Sequence, residues 1–206
     1  LDGNGHEVTL WSYLESEVTM LKTEREQKDK LPGVKISEKM IVTNDLQHAL
    51  DGKDVVVLAV PSTVIRSTAA MCAPYVTEGQ ILVDVAKGIE EETLLSMTEI
   101  IEEEIPQANV AVLSGPSHAE EVGRGIPTTI VVGAKDQKTA VYLQNIFMSE
   151  KFRVYISSDM KGIELGGALK NVVALAAGIA DGLGYGDNTK AALITRGIAE
   201  ISRLGM

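Results

Sequence analysis

Short apolar, β-branched runs recur along the chain at Val8–Trp11, Met40–Thr43, Asp54–Val60, Gln80–Val85, Asn109–Leu113, Thr128–Gly133 and Arg153–Ile156. The stretch Val55-Val-Val-Leu-Ala-Val60 is apolar at every position, the pattern of a strand covered on both faces. Between the runs, Val64–Ala73, Glu91–Glu104, Ser117–Gly123 and Gln137–Met148 suit helices. Strands alternating with helices predict an α/β fold with a doubly wound, largely parallel sheet.

After Ser158 the pattern changes. Asp159–Ala180 carries no strand signal and is crowded with Ala, Gly and Leu. Asp181-Gly-Leu-Gly-Tyr-Gly186 reads as a turn, and Asp187-Asn-Thr189 offers N-cap chemistry before a helix over Lys190–Leu204. The expected organisation is a Rossmann-like doubly wound domain over 1–158, followed by the start of an all-helical domain over 159–206. Leu1-Asp-Gly-Asn-Gly5 reads as a helix tail with its C-terminal turn, leading into strand Glu7–Trp11. A first strand and a glycine-rich phosphate loop are expected before it, and no G-x-G-x-x-G follows in a strand-to-helix setting. Two helices alone make a poor domain, so the chain is expected to be cut at both ends.

Composition narrows the function classes. A net charge of −10 over 206 residues argues against nucleic acid or an anionic membrane surface as partner, since either needs clustered Lys and Arg. A small phosphorylated ligand needs only one or two local cations and stays open. Cys72 is the single cysteine, so there is no internal disulfide and no zinc ribbon, and a cytoplasmic home is expected. No apolar run is read as reaching the roughly 18 residues of a membrane span, so no stable membrane insertion is expected.

Candidate chemistry sits at element boundaries. In Glu164-Leu-Gly-Gly-Ala-Leu-Lys170-Asn171, Gly166 and Gly167 lie one turn before a lysine, where small residues admit a close neighbour. Spacing alone leaves Lys170 a solvated lysine. Lys87-Gly88-Ile-Glu90 follows a strand directly, where doubly wound sheets gather ligand residues; a turn with an exposed lysine explains it equally well. Ser117-His118-Ala119-Glu120 after Gly115-Pro116 has the form of a capping box, with an anion site at the helix start. His118 there has no placed partner. Ser62, after Leu58-Ala-Val-Pro61, is expected to cap the next helix, and Glu102-Glu-Glu104 to be a solvated helix face.

Together Ala59-Val-Pro-Ser62, Lys87-Gly-Ile-Glu90, Leu113-Ser-Gly-Pro-Ser117, Glu164–Asn171 and Gly186-Asp-Asn-Thr-Lys-Ala-Ala192 resemble, in order, the NAD(P)-dependent glycerol-3-phosphate dehydrogenases of the bacterial soluble type. The resemblance implies interconversion of sn-glycerol 3-phosphate and dihydroxyacetone phosphate with NAD or NADP, in phospholipid precursor supply, by an enzyme that commonly forms homodimers. It implies Lys170 as the catalytic acid/base and substrate ligand, and Lys87 as a contact to both substrate and cofactor. Gly115, Ser117 and Asn171 match substrate positions; Ala119 and Tyr13 match cofactor positions, Tyr13 where relatives carry His or Arg. An acid/base lysine calls for partial burial or a nearby cation such as Lys87. The glycine-rich loop, a later Asp and a Ser-Arg-Asn segment of the family are missing from the chain. Rival readings are a β-hydroxyacid or 6-phosphogluconate type dehydrogenase and a non-catalytic binding module.

Overall fold

The computed structural model describes residues 1–205. A 3-10 turn over Asp2–Asn4 ends at Gly5, whose φ of 90° closes the turn onto the Asp2 carbonyl. Strand β1 (Thr9–Trp11) pairs in parallel with β2 (Ile41–Thr43). A separate five-stranded sheet runs β3 (Val55–Leu58), β4 (Ile81–Asp84), β5 (Asn109–Ser114), β6 (Thr128–Ala134), β7 (Phe152–Ser157), in that order.

Strands β3, β4 and β5 are parallel, with Leu58 opposite Asp84 and Asp84 opposite Val112. Strand β6 reverses against β5, with Leu113 opposite Val132, and β7 is parallel to β6. The reversal follows from the connection. Helix α5 (Ala119–Gly123) has five residues and rises roughly 8 Å, too little to return the chain along β5.

Alternate residues of each strand bury against opposite layers. Leu82 and Val110 pack with Ile65 and Ala69 of α3 (Ile65–Cys72) and with Met97, Ile100 and Ile101 of α4 (Met97–Glu104). Val83, Ala111 and Leu113 pack on the other face with Ala140 and Leu143 of α6 (Gln137–Phe147). The predicted double winding is therefore present. The Cys72 thiol belongs to the first layer, and burial pushes it up to about 11.

Two helices escaped the sequence pattern. Helix α1 (Glu15–Glu24) buries only Val18 and Leu21, and α2 (Leu46–Leu50) is a five-residue turn capped by Asp45, which accepts the His48 N–H. Helix α4 starts at Met97, not Glu91. The chain before it turns through Leu94 at φ 60°, and the Glu90 N–H donates to the Leu95 carbonyl.

Helix α7 (Met160–Gly182) and helix α8 (Asp187–Leu204) follow β7. By length and composition alone α7 is apolar enough to cross a membrane, although Lys161, Glu164, Lys170 and Asp181 interrupt its apolar run. It lies across β5 and β6: a Cβ on Gly133 would sit 2.7 Å from Ile163 Cδ1 and 3.2 Å from Met160 Cγ.

The two-stranded and five-stranded sheets share no backbone pairing. Between them opens a cleft of about 660 Å³, flanked by Thr9–Trp11 on one side and Val55–Val60 on the other. Ile101 is fully buried, whereas Ile198 on α8 is 60% exposed. Truncating a buried Ile to Ala costs about 2–5 kcal/mol, and an exposed one within about 0.5 kcal/mol. In urea unfolding, Ile101→Ala is expected to lower the midpoint sharply and Ile198→Ala to leave it nearly unchanged; equal effects would contradict this core assignment.

Candidate active site

Because β3, β4 and β5 point the same way, the segments after them leave the sheet at one edge. These are Ala59–Ser62, Val85–Glu90 and Gly115–Ser117, so three motifs far apart in sequence become neighbours. Gly88 stitches two of them together: a Cβ there would lie 2.8 Å from both Cβ and Oγ of Ser62. Ser62 therefore does not cap a helix. It opens a 3-10 turn, Ser62–Val64, and α3 begins after it without a side-chain cap.

Glu90 anchors the lysine loop from its far end. Arg66 of α3 donates Nε and Nη2 to its two oxygens at 2.8 and 2.7 Å, and Nη1 to Glu103 and Glu104 of α4 at 2.9 and 2.7 Å. This guanidinium holds Glu90 down at about 2. The face at Glu102–Glu104 is solvent-exposed in part, as expected, but its carboxylates are also paired: Glu103 and Glu104 clamp Arg66, and Glu102 pairs with Lys135 at 2.7 Å.

Gly115 has φ 155°, and a Cβ on it would meet the Ile130 Cα at 3.1 Å and the Thr129 carbonyl at 3.2 Å. Only glycine fits this turn. It presents Ser117, whose hydroxyl donates to the Gly115 carbonyl at 3.3 Å and accepts the Lys87 Nζ at 3.1 Å. The capping box expected from Ser117 to Glu120 does not form. His118 occupies the N-cap position without a side-chain cap bond, and α5 is too short to make an anion site of its own. The Ser117 hydroxyl is taken up by Lys87 instead. His118 is exposed and pairs with Glu120 at 2.9 Å.

Helix α7 reaches the same edge. Buried Glu164 accepts the Thr98 N–H at 2.9 Å, the Ser96 hydroxyl at 2.8 Å and the Thr98 hydroxyl at 2.6 Å. These groups open α4, so the carboxyl also faces the positive end of that helix. One turn on, a Cβ at Gly167 would lie 2.9 Å from Ser114 Oγ and 3.5 Å from Lys87 Cγ. The helix therefore touches the tip of β5 and the stem of Lys87. Positions i, i+3 and i+4 share a face, which puts Lys170 and Asn171 beyond this contact. Lys170 Nζ donates to Asn171 Oδ1 at 2.7 Å.

Lys170 is exposed, so the burial expected of an acid/base lysine is not supplied by the described residues; the neighbouring cation is. Lys87, half-buried, has its ammonium pushed down first by burial and next by Lys170, with Asp84 opposing. Lys87, Ser117 and Gly115 are brought together, with Lys170 and Asn171 one turn past Gly167. Ala119 stands exposed at the start of α5. Tyr13 is 73% exposed and meets Trp11 edge-on with ring centroids 6.5 Å apart; no hydrogen bond ties it to the Lys87 group among the described residues.

Asp84 went unnoticed in the sequence, although a carboxylate ending an apolar strand is a visible break. It is fully buried at the tip of β4. Oδ1 accepts the Ala86 N–H at 3.0 Å, while Oδ2 has no partner. Burial, above all, pushes this carboxyl up to about 7; the Glu164 charge adds to the rise, and the Ala86 N–H and Lys87 oppose it.

Residues 1–140 match the family described as NAD-dependent glycerol-3-phosphate dehydrogenase N-terminus, and residues 159–206 match its C-terminus. A glycerol-3-phosphate dehydrogenase of Agathobacter rectalis is 62% identical over 206 residues, covering 100% of this chain and 61% of that protein. One from Fusobacterium nucleatum is 60% identical, covering 100% of this chain and 62% of its own. A crystal structure of glycerol-3-phosphate dehydrogenase from Coxiella burnetii superposes with a TM-score of 0.91 at 33% identity, covering 99% of this chain and 62% of that one. The chain thus spans about three fifths of the length of these relatives.

The Asp84 environment sets a pH dependence. Between the ordinary 3.8 and about 7, the unfolded chain has released this proton and the folded protein has not. Its contribution to stability is full below the lower value and lost as pH rises through the upper one, at roughly 1.4 kcal/mol for each pH unit between. Asp84→Asn is expected to be the more stable protein at pH 7.5 and to lose less stability from pH 5 to 7.5 in urea titrations. Parallel profiles for the two proteins would rule this out.

Proposed function

Since the chain belongs to the NAD-dependent glycerol-3-phosphate dehydrogenase family, we propose that it serves reversible hydride transfer between NAD or NADP and C2 of a three-carbon phosphate. The reaction interconverts sn-glycerol 3-phosphate and dihydroxyacetone phosphate. The observation that carries this reading is the meeting of Lys87, Ser117 and the Lys170 helix at one sheet edge.

The cofactor, when bound, supplies or takes up the hydride at C2. Lys170 gives its proton to the developing alkoxide in the reducing direction and removes it in the other. Its positive charge also stabilises the alkoxide before the proton moves. Asn171, 2.7 Å from Lys170 Nζ, aims the ammonium. Lys87 and Ser117 offer a charged and a neutral donor to the phosphate, as a small anion needs, and Gly115 leaves the turn open to it.

Doubly wound sheets hold a dinucleotide across the carboxyl ends of their strands. Tyr13 after β1, Lys87 after β4 and Ala119 after β5 stand at such ends and fit that placement, Tyr13 toward the adenosine. The β1 tip, Ser12-Tyr13-Leu14, has no carboxylate for a ribose 2′-OH and no Arg for a 2′-phosphate, so it selects neither NAD nor NADP. A second reading for the 206-residue chain by itself is a binding module without turnover.

The division at 158/159 is part of this proposal, supported by the strand-free course of α7 and α8. So are a cytoplasmic setting, a homodimer, and a role in supplying glycerol phosphate for phospholipid synthesis. Helix α7 stays out of membranes on this reading, because Glu164 ties it to α4. A substrate panel separates glycerol phosphate from β-hydroxyacids and 6-phosphogluconate.

Within an enzyme extended to the full length of its relatives, Lys170→Ala is expected to abolish turnover and leave cofactor affinity intact. Near-normal turnover in that variant would sink the acid/base role. The 206-residue chain alone is expected to oxidise reduced cofactor with dihydroxyacetone phosphate little or not at all, which a spectrophotometric assay reads directly. Robust turnover there would remove the second reading.

A further inference from the structure

Asp84 is the one described residue with a buried, unpartnered side-chain oxygen, and it lies three residues from Lys87. No step of the proposed reaction uses it. The groups around it are mixed in sign. On its own strand and loop stands Lys87, which Lys170 of α7 also influences; α7 brings Glu164, to which Ser96 and Thr98 at the start of α4 are bonded. Its strand neighbours, Leu58 on β3 and Val112 on β5, are apolar. Asp84 is thus an interior carboxyl with Lys87 and a second buried carboxyl as its charged company.

We propose that Asp84 is a buried proton acceptor coupled to anion binding at Lys87 and Ser117, so that a dianion bound there is accompanied by proton uptake at Asp84. The inference rests on the reading of Lys87 and Ser117 as a phosphate site. When Asp84 is neutral, the site presents Lys87 and Lys170 with one opposing carboxylate fewer behind them. When it ionises, its negative charge faces the incoming anion from inside the sheet, where water screens little. A bound dianion in turn favours the protonated carboxyl, since the coupling is reciprocal. Anion affinity must therefore fall as pH rises through the range where Asp84 releases its proton. The position of that range near neutrality agrees with its burial.

Sulfate tests this, because it is a dianion throughout and adds no titration of its own. His118, one residue from Ser117, carries an imidazole that would add a pH dependence, so the measurement is made in a His118→Gln background. Sulfate affinity, followed by NMR shifts of the Ser117 and Lys87 amides, is expected to drop roughly fivefold or more from pH 5.5 to 8. With Asp84→Asn added, the affinity is expected to stay at its acid-side level across that range. Calorimetry of the Asp84 protein at pH 7, in two buffers of different ionisation enthalpy, is expected to show a fraction of a proton taken up per sulfate. Binding with a flat pH profile, an unchanged slope in the Asp84→Asn protein, or no proton uptake overturns the coupling and leaves the phosphate site standing. Absence of sulfate binding at every pH overturns both.

Discussion

Glu164 is the contact on which the candidate site depends. Its carboxyl is 7% exposed and finds an N–H and two hydroxyls at the start of α4. Hydrogen bonds to a charged group contribute about 1.5–3 kcal/mol, and leaving such partners buried and unpaired costs a comparable amount. The bond set therefore fixes where α7 lies on the sheet. Everything further along that helix inherits its position: Gly167 against Ser114 and Lys87, then Lys170 and Asn171 one turn beyond. A helix of 23 residues with little of its surface buried would otherwise have few means of choosing a register.

A second anchoring system acts on the sheet side. Arg66 draws Glu90, Glu103 and Glu104 together, so the loop carrying Lys87 is tied at its far end to α3 and α4. Gly88 lies flat on Ser62. The two systems share α4, whose N-terminus receives Glu164 and whose C-terminus supplies two carboxylates to Arg66. One short helix thus holds both lysine-bearing segments in place, and neither lysine has to provide its own support. Lys87 and Lys170 stay free for ligand, at the cost of mutual repulsion that Asp84 partly offsets.

The fold class and the order of the elements were legible in the sequence because burial writes itself into pattern. Ile81–Val83 and Val110–Leu113 are apolar since layers cover both faces, and Glu164–Asn171 is conspicuous since Gly167 must pass close to another segment. Helices α1 and α2 were not legible: one buries two residues, the other is a single capped turn. The Ser117 capping box was legible but misleading, because a hydroxyl has several possible partners and local sequence does not say that Lys87, thirty residues earlier, will reach it first.

The sequence by itself thus determined the layers, the loops that carry chemistry and, through motif order, the family. Tertiary structure alone decided the rest. The reversal of β6, the start of α4 at Met97, the Arg66 clamp and the burial of Asp84 all depend on partners distant in the chain. Spacing along a sequence encodes which face of an element is buried, whereas the partner a charged or hydroxyl side chain chooses depends on what the fold brings within about 3 Å of it. Lys170 illustrates both: its helix and motif are local, and its place beside Lys87 exists only because Glu164 holds that helix down.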